Sequence, residues 1–313
     1  MFFSKNFDFS KIPDLTGKIA IITGSNTGIG KVCALEMARQ NCQIIVASRS
    51  EEKGQAAVTE IKSATGNDKV EFMKLDLLSL EAVKAFAEEF TAKFDKLHIL
   101  LNNAGVMMCP YGLSKDGIEI QFATNHVAHY YLTMQLLPLL IKSGPSRIVN
   151  VSSMGHHSTS VYAPNFTDKI SEKKGYNATL QYGFTKACNI MFTRELAKRL
   201  EAQGIDNVYV NCNHPGVVSS ELSRHIASPK SFLDSVYNNY LAITTENGSL
   251  TQLYLATSPE VESKQIKGQY YVPYAASGWA NPYSRSEKNA ADLWEYTEKL
   301  LKEKVPDYQG AAI

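Results

Sequence analysis

KIAIITGSNTGIGK, residues 18–31, decides the fold. Its first half, Lys18–Thr23, is a short continuous apolar run. Such a run reads as a strand buried on both faces, as in a parallel sheet. Its second half sets Gly24, Gly28 and Gly30 in front of a helical pattern from Ile29 to Gln40. A glycine turn between strand and helix lets main-chain N–H groups and the helix dipole meet a diphosphate, and a Cβ would block that approach. The spacing is GxxxGxG rather than GxGxxG. Gly24, Ser25, Asn26, Thr27, Gly28, Ile29 and Gly30 are therefore expected to cradle a dinucleotide.

The same alternation continues along the chain. Apolar runs at Gln43–Ser48, Val70–Leu75, Leu97–Asn103, Arg147–Ser153 and Val208–His214 are separated by helical stretches, among them Leu80–Phe94, Gly117–Lys142 and Thr179–Gln203. This pattern predicts α/β architecture: a single doubly wound Rossmann-type domain over 1–313, with a mostly parallel seven-stranded sheet and helices on both faces. Within it, 1–15 reads as an N-terminal arm, 219–247 as a substrate-loop segment and 284–313 as a C-terminal helical tail. Ligands of such sheets bind beyond the C-terminal ends of the strands. Chemistry is therefore expected just after Thr23, Ser48, Leu75, Asn102, Ser152 and His214.

Composition narrows the function classes. Lys plus Arg is 32 and Asp plus Glu is 31, a net charge of +1, which argues against a nucleic-acid-binding face. The five cysteines form no CxxC pair, so neither a disulfide framework nor a structural zinc site is expected, and no metal is assigned. A reducing, cytoplasmic setting follows. The N-terminus MFFSKNFDFSKIPDL has no apolar core of signal-peptide length. Phe2, Phe3, Phe7 and Phe9 either touch a membrane surface or pack on the domain as a docked arm. The short segment, poor in Lys and Arg, favours docking. A peripheral position at a membrane or lipid surface and homo-oligomer formation both stay open.

Cofactor choice turns on the end of the second strand. About 20 residues after the glycine turn, an NAD site carries an acidic residue for the ribose 2′-hydroxyl. Here Ser48 and Arg49 occupy that place. A guanidinium pairs with a 2′-phosphate, so NADP(H) is expected over NAD(H). The alternative is that Arg49 pairs with Glu51 or Glu52 at the surface.

These residues, with several further motifs, make the chain resemble the short-chain dehydrogenase/reductase family over roughly Thr16 to Tyr271. LDL (Leu75–Leu77) follows the third strand, LNNAG (Leu101–Gly105) the fourth, Asn125 lies in the next helix, Ser153 ends IVNVSS, Tyr182 and Lys186 give YxxxK, and HPG (His214–Gly216) follows the sixth strand. NTGIGK, the pair His156 and His157, NIMFTRELAKRL and HPGVVSSELSRH are similar to the retinol dehydrogenase and WW-domain oxidoreductase branch. The chain carries no WW module and no leading apolar span. The resemblance implies hydride transfer between a nicotinamide and an alcohol or carbonyl. Tyr182 is then the general acid/base, Lys186 its cationic neighbour and holder of the nicotinamide ribose, Ser153 the hydrogen-bonding partner of the substrate oxygen, and Asn125 the holder of a water leading to solvent. It further implies cofactor contacts from Asp76, Leu77, Asn102, Ala104, Gly105, Pro215, Gly216, Val218 and Ser220. For Asp76 a surface cap is the competing role.

Elementary chemistry fits that assignment. Residues four apart share a helix face, so Tyr182 and Lys186 converge. A phenol titrates near about 10, and a neighbouring ammonium favours the phenolate. Ser153 next to two histidines also looks like a hydrolase dyad, but no nucleophile elbow or orienting carboxylate accompanies it, so His156 and His157 read as loop or pocket residues. Two segments are expected to shape the substrate pocket. Met154–Gln181 brings Tyr162, Phe166 and Tyr176, and Ser219–Asn247 brings Leu222, Ile226, Phe232, Leu233, Tyr237, Tyr240 and Leu241. Their apolar content points to a lipophilic carbonyl or alcohol of retinoid, apocarotenoid, steroid or long-chain-aldehyde type. The competing reading is that these side chains close the core. A nicotinamide-binding scaffold with little turnover is the alternative function.

Overall fold

The computed structural model describes residues 6–218 and 243–313. Seven strands run parallel: β1 (Ile19–Thr23), β2 (Gln43–Ser48), β3 (Val70–Lys74), β4 (Ile99–Asn102), β5 (Ser146–Val151), β6 (Val208–Asn213) and β7 (Tyr270–Val272). A two-residue β8 (Ala276–Ser277) pairs antiparallel with β7. The order is β3-β2-β1-β4-β5-β6-β7-β8, an eight-stranded sheet where the sequence suggested seven. A strand as short as β8 carries no period of its own, and pairing with β7 creates it. The order reverses between β1 and β4, which opens the ligand crevice at their C-terminal ends.

Continuous apolar strands are explained by two cores. Ile21, Ile45 and Ala47 enter one cluster, with residues of α3 (Leu80–Lys93), α5 (Ala128–Lys142), α6 (Ala178–Ala202) and α10 (Glu287–Lys304). Their neighbours Ala20, Ile22, Ile44 and Val46 enter the other, with α1 (Gly28–Arg39), α2 (Glu51–Thr65) and α7 (Thr245–Thr257). Helix ends follow ordinary capping chemistry. Ser50, Ser79 and Asn177 accept N–H groups of the first turns of α2, α3 and α6, and α2 stops at Gly66 in the left-handed region. The chain enters α5 through α4 (Ile120–Phe122) and a π turn, Ala123–Val127. Two short helices, α8 (Glu260–Ser263) and α9 (Pro282–Arg285), complete the C-terminal third.

The predicted tail is mostly α10. It lays Leu293, Trp294, Leu300 and Leu301 on α5 and α6, with the Trp294 ring edge-on to Tyr130 at 5.0 Å. Among the described residues no helix is long and apolar enough to cross a membrane. The N-terminal arm docks on the α1/α7 face. Phe7 is 2% exposed with its ring edge-on to Tyr254 at 5.6 Å, and Ile12 and Leu15 join the same cluster. Phe2 and Phe3 lie outside the described residues. Truncating a buried Phe typically removes 3 kcal/mol or more. Phe7→Ala is therefore expected to lower unfolding stability by about 3 kcal/mol with an unchanged urea m-value.

Candidate active site

The glycine turn has the geometry of a phosphate cradle. Gly24 has φ +67°, donates to Ala47 O at 2.8 Å, and leaves room for a Cβ only 3.0 Å from Ala104 Cα. The turns after β1 and β4 are thus in contact. A Cβ on Gly30 would lie 2.5 Å from Asn103 Nδ2. Ser25 is wholly buried and its hydroxyl donates to Ile22 O at 2.6 Å, so it holds the turn from within. Asn26, Thr27, Gly28 and Ile29 are half-exposed. Thr27 makes no side-chain cap and the first turn of α1 has no acidic residue, so the helix N–H groups are left for an anionic ligand. The turn fits a dinucleotide diphosphate.

The remaining strand ends differ in what they offer. Arg49 is exposed, and among the described residues no carboxylate pairs with it, Glu51 and Glu52 included. Asp76 accepts the Leu78 N–H at 3.1 Å and stands 3.7 Å from Lys115 Nζ, so it caps its own turn. Leu77 belongs to the core. Asn102 is 1% exposed, and its amide donates to Thr133 Oγ1 at 3.0 Å and Asn150 Oδ1 at 2.8 Å. Both amide hydrogens are thus spent inside the sheet, while Oδ1 has no partner among the described residues. Its neighbour Asn103, absent from the sequence expectation, donates to Thr23 O at 2.8 Å and accepts from Gln252 at 3.2 Å. Ala104 and Gly105 are half-buried just beyond the end of β4. Beyond β6, Gly216 has φ +95° and donates to His214 Nδ1 at 3.0 Å, and Val218 bridges to Ile243. Pro215 is half-buried in that turn, and Ser220 lies outside the described residues.

The structure brings Ser153, Tyr182, Lys186 and Asn125 together. Lys186 Nζ lies 5.7 Å from the Tyr182 ring centroid. A Cβ on Gly155 would sit 3.2 Å from Tyr182 Cε1 and 3.4 Å from Ser153 Oγ. A Cβ on Gly105 would sit 3.1 Å from Asn125 Oδ1 and 3.3 Å from Lys186 Nζ. The two serines are not equivalent. Ser152 is buried and its hydroxyl donates to Lys186 O at 2.7 Å, whereas half-buried Ser153 accepts the Gly155 N–H at 3.0 Å. That bond uses a lone pair of Ser153 Oγ and leaves its proton to donate elsewhere.

Asn125 lies in the π turn, wholly buried. Its side chain accepts from Val106 N at 2.9 Å and donates to Val106 O at 3.0 Å and Thr185 Oγ1 at 2.9 Å. The side chain is thus a clamp between the β4 turn and α6, while the Asn125 carbonyl lies 3.4 Å from His129 Nδ1. Lys186 is 3% exposed and donates to Val151 O at 3.1 Å. Burial draws its pKa down to about 8. His129, 2.9 Å from Thr23 Oγ1, is pushed by burial to about 3 and stays neutral.

Of the expected pocket walls, Tyr162 and Phe166 pack against the core. Tyr176 is a strut whose hydroxyl donates to Cys109 O at 2.9 Å and accepts from Gln121 at 2.8 Å. These three side chains close the domain. The segment with Leu222, Ile226, Phe232, Leu233, Tyr237, Tyr240 and Leu241 lies outside the described residues. Sequence reasoning also missed buried Glu119, which accepts from Gln181, the residue before Tyr182, at 2.8 Å. Its signal was weak: an acid ahead of a helical run, read there as helix.

The chain is similar to known proteins over most of its length. The family described as short chain dehydrogenase matches residues 18–231. Retinol dehydrogenase 12 of Homo sapiens is 42% identical over 287 residues, covering 92% of this chain and 87% of the human one. A crystal structure of an uncharacterised protein from Mycobacterium Paratuberculosis is similar with TM-score 0.74 at 28% identity, covering 95% of this chain and 97% of that one. A short chain dehydrogenase from Shigella flexneri 2A, complexed with NADP, shares the fold at 23% identity and TM-score 0.64, covering 84% of this chain and 99% of that one.

The buried ammonium has a consequence for stability. Its folded pKa of about 8 lies below the ordinary lysine value of 10.5, so the folded state holds the charge reluctantly. That penalty is fully present below pH 8 and fades as the pH climbs towards 10.5. The Val151 carbonyl keeps a second donor, Asn189 Nδ2 at 3.0 Å, if the lysine is removed. Lys186→Met is expected to be more stable than wild type at pH 7 by roughly 1 kcal/mol, net of the lost hydrogen bond, with the gap closing above pH 8. Thermal unfolding at pH 7 and pH 9.5 checks it.

Proposed function

This chain belongs to the short-chain dehydrogenase/reductase family, in its retinol dehydrogenase branch, and is an oxidoreductase of alcohols and carbonyls; we propose that it transfers hydride between NADP(H) and a lipophilic substrate, with Tyr182 as general acid/base. The observation that carries this reading is the convergence of Tyr182, Lys186 and Ser153 around Gly155 and the β5 end.

When bound, the dinucleotide supplies or accepts hydride at its nicotinamide ring. The chain's residues do the rest. The first turn of α1 and Gly24, Gly28 and Gly30 hold the diphosphate. Ala104, Gly105 and the Pro215–Val218 turn flank the rest of the dinucleotide. Ser153 donates its free proton to the substrate oxygen and stabilises charge gathering there. Tyr182 gives its phenolic proton to that oxygen during reduction and recovers it during oxidation. The Lys186 ammonium, held by the Val151 carbonyl, favours the phenolate left behind. The π turn at Asn125 offers backbone to a water that returns the proton to solvent.

Two further points support the finer reading. Arg49 stands exposed and without a carboxylate partner among the described residues at the end of β2, which suits a 2′-phosphate. Large apolar side chains stand exposed on the segments that follow β5 and β8: Met154 is 53% exposed, Val161 83% and Trp279 71%, the last with the Arg285 guanidinium 3.9 Å over its ring. A lipophilic substrate accounts for them, and the named relative acts on retinol.

NADPH oxidation followed at 340 nm, with all-trans-retinal and nonanal as first substrates, tests the reading. Tyr182→Phe is expected to lower kcat about 1,000-fold while NADPH still binds, as read by nicotinamide fluorescence. Normal turnover in that variant would remove the mechanism. Loss of a charge-assisted pair is worth about 1.5–3 kcal/mol. Arg49→Ala is therefore expected to raise KM for NADPH roughly 10- to 100-fold and leave NADH within about twofold. Equal losses for both cofactors would refute the 2′-phosphate contact.

A further inference from the structure

His156 is wholly buried three residues after Ser153, and the proposed chemistry does not use it. Its ring Nδ1 is 2.7 Å from the Ser153 carbonyl, and its backbone N–H donates to the same oxygen at 3.1 Å. Both lone pairs of that carbonyl are thereby engaged. The opposite ring nitrogen, Nε2, accepts the Asn281 N–H at 3.4 Å. Asn281 completes the link, since its side-chain amide donates to His156 O at 3.1 Å and Thr159 Oγ1 at 2.6 Å, and its oxygen accepts the Ser284 N–H at 2.9 Å. One nitrogen gives a proton and the other receives one, so the imidazole is a single neutral tautomer. Burial agrees, pushing its pKa down to about 4. The ring is wedged between His157 at 4.0 Å and Tyr270 at 5.2 Å, centroid to centroid.

This geometry separates His156 from the hydrolase dyad that the sequence superficially offers. The imidazole faces the carbonyl of Ser153 and not its hydroxyl, so it takes no proton from Oγ. It sets the backbone from which Oγ projects. The turn it anchors, Met154–Ser160, lies against α6, where Gly183 makes room for Gly155 O and Ser158, and Gly155 lies against the Tyr182 ring.

We propose that His156 is a positioning residue for Ser153, bridging the serine carbonyl to the Asn281 backbone and so hanging the serine-bearing turn from the segment after β8. The inference rests on the reading of Ser153 given above. Asparagine places an amide N–H where Nδ1 stands, and glutamine places a polar group where Nε2 stands. His156→Leu and His156→Gln are expected to lose about 30-fold in kcat, with KM for NADPH within about twofold of wild type. His156→Asn, which keeps the bond to Ser153, is expected to recover most of the rate. In a Ser153→Ala background, His156→Leu is expected to add almost nothing, because the hydroxyl it positions is gone.

The assay is NADPH oxidation with all-trans-retinal, or with nonanal if that is turned over faster, and thermal unfolding confirms that each variant is folded. A His156→Leu loss just as large in the Ser153→Ala background overturns the proposal and leaves the serine reading standing. So does a His156→Asn variant as slow as His156→Leu. Full activity in Ser153→Ala removes the proposal together with the reading beneath it.

Discussion

A cation sealed at the end of β5 constrains everything around it. Lys186 is 3% exposed and the hydrogen bond seen for its ammonium is to the Val151 carbonyl. Burying an ammonium with so little compensation opposes folding unless the surroundings supply dipoles. The chain meets that demand by convergence. Gly105 lets Asn125 Oδ1 and the ammonium approach a common point, and the π turn bulges the helix there. Ser152 ties the Lys186 carbonyl back to the sheet at 2.7 Å. A lysine placed this way has a pKa near about 8, close enough to neutrality to be charged at physiological pH and sensitive to what binds beside it.

The glycines around the site follow from the same need for close approach. Gly24 admits the β4 turn, Gly30 admits Asn103, and Gly155 and Gly183 let the serine-bearing turn lie against α6. Each removes a methyl-sized volume where two segments distant in sequence must touch. The result is a crevice at the switch between β1 and β4 whose walls come from the turns after β1, β4, β5 and β6.

Much of this was legible in the chain because it depends on local order. The strand–glycine–helix succession at 18–31 and the four-residue step from Tyr182 to Lys186 are short-range patterns, and secondary structure turns them directly into geometry. What was not legible depends on pairing across long separations. Asn125 was readable as a candidate, but its bonds to Val106 and Thr185 span 19 and 60 residues. The π turn adds one residue to a stretch buried on every side from Gln121 to Met134, so no one-sided apolar pattern is there to show the shift in phase. Asn102 shares a motif with Ala104 and Gly105, yet strand alternation turns its side chain into the sheet. Tyr176 looked like pocket wall because aromatic residues line pockets, and its hydroxyl became a strut only once Cys109 and Gln121 were beside it.

The C-terminal third shows how the two ends of the crevice are held in one frame. Ile243 donates to Val217 O at 2.8 Å and so meets the turn that follows β6. Thr251, eight residues on, accepts from Ala275 N at 3.2 Å and fixes the return from β7. The chain then reaches Asn281, whose amide grips the turn after Ser153. One covalent stretch thus touches first the turn proposed to meet the nicotinamide and then the turn proposed to hold the substrate oxygen. Hydride transfer tolerates little error in the distance between its two carbons. Tying both turns to the one stretch 243–281 makes that distance depend on hydrogen bonds within the fold.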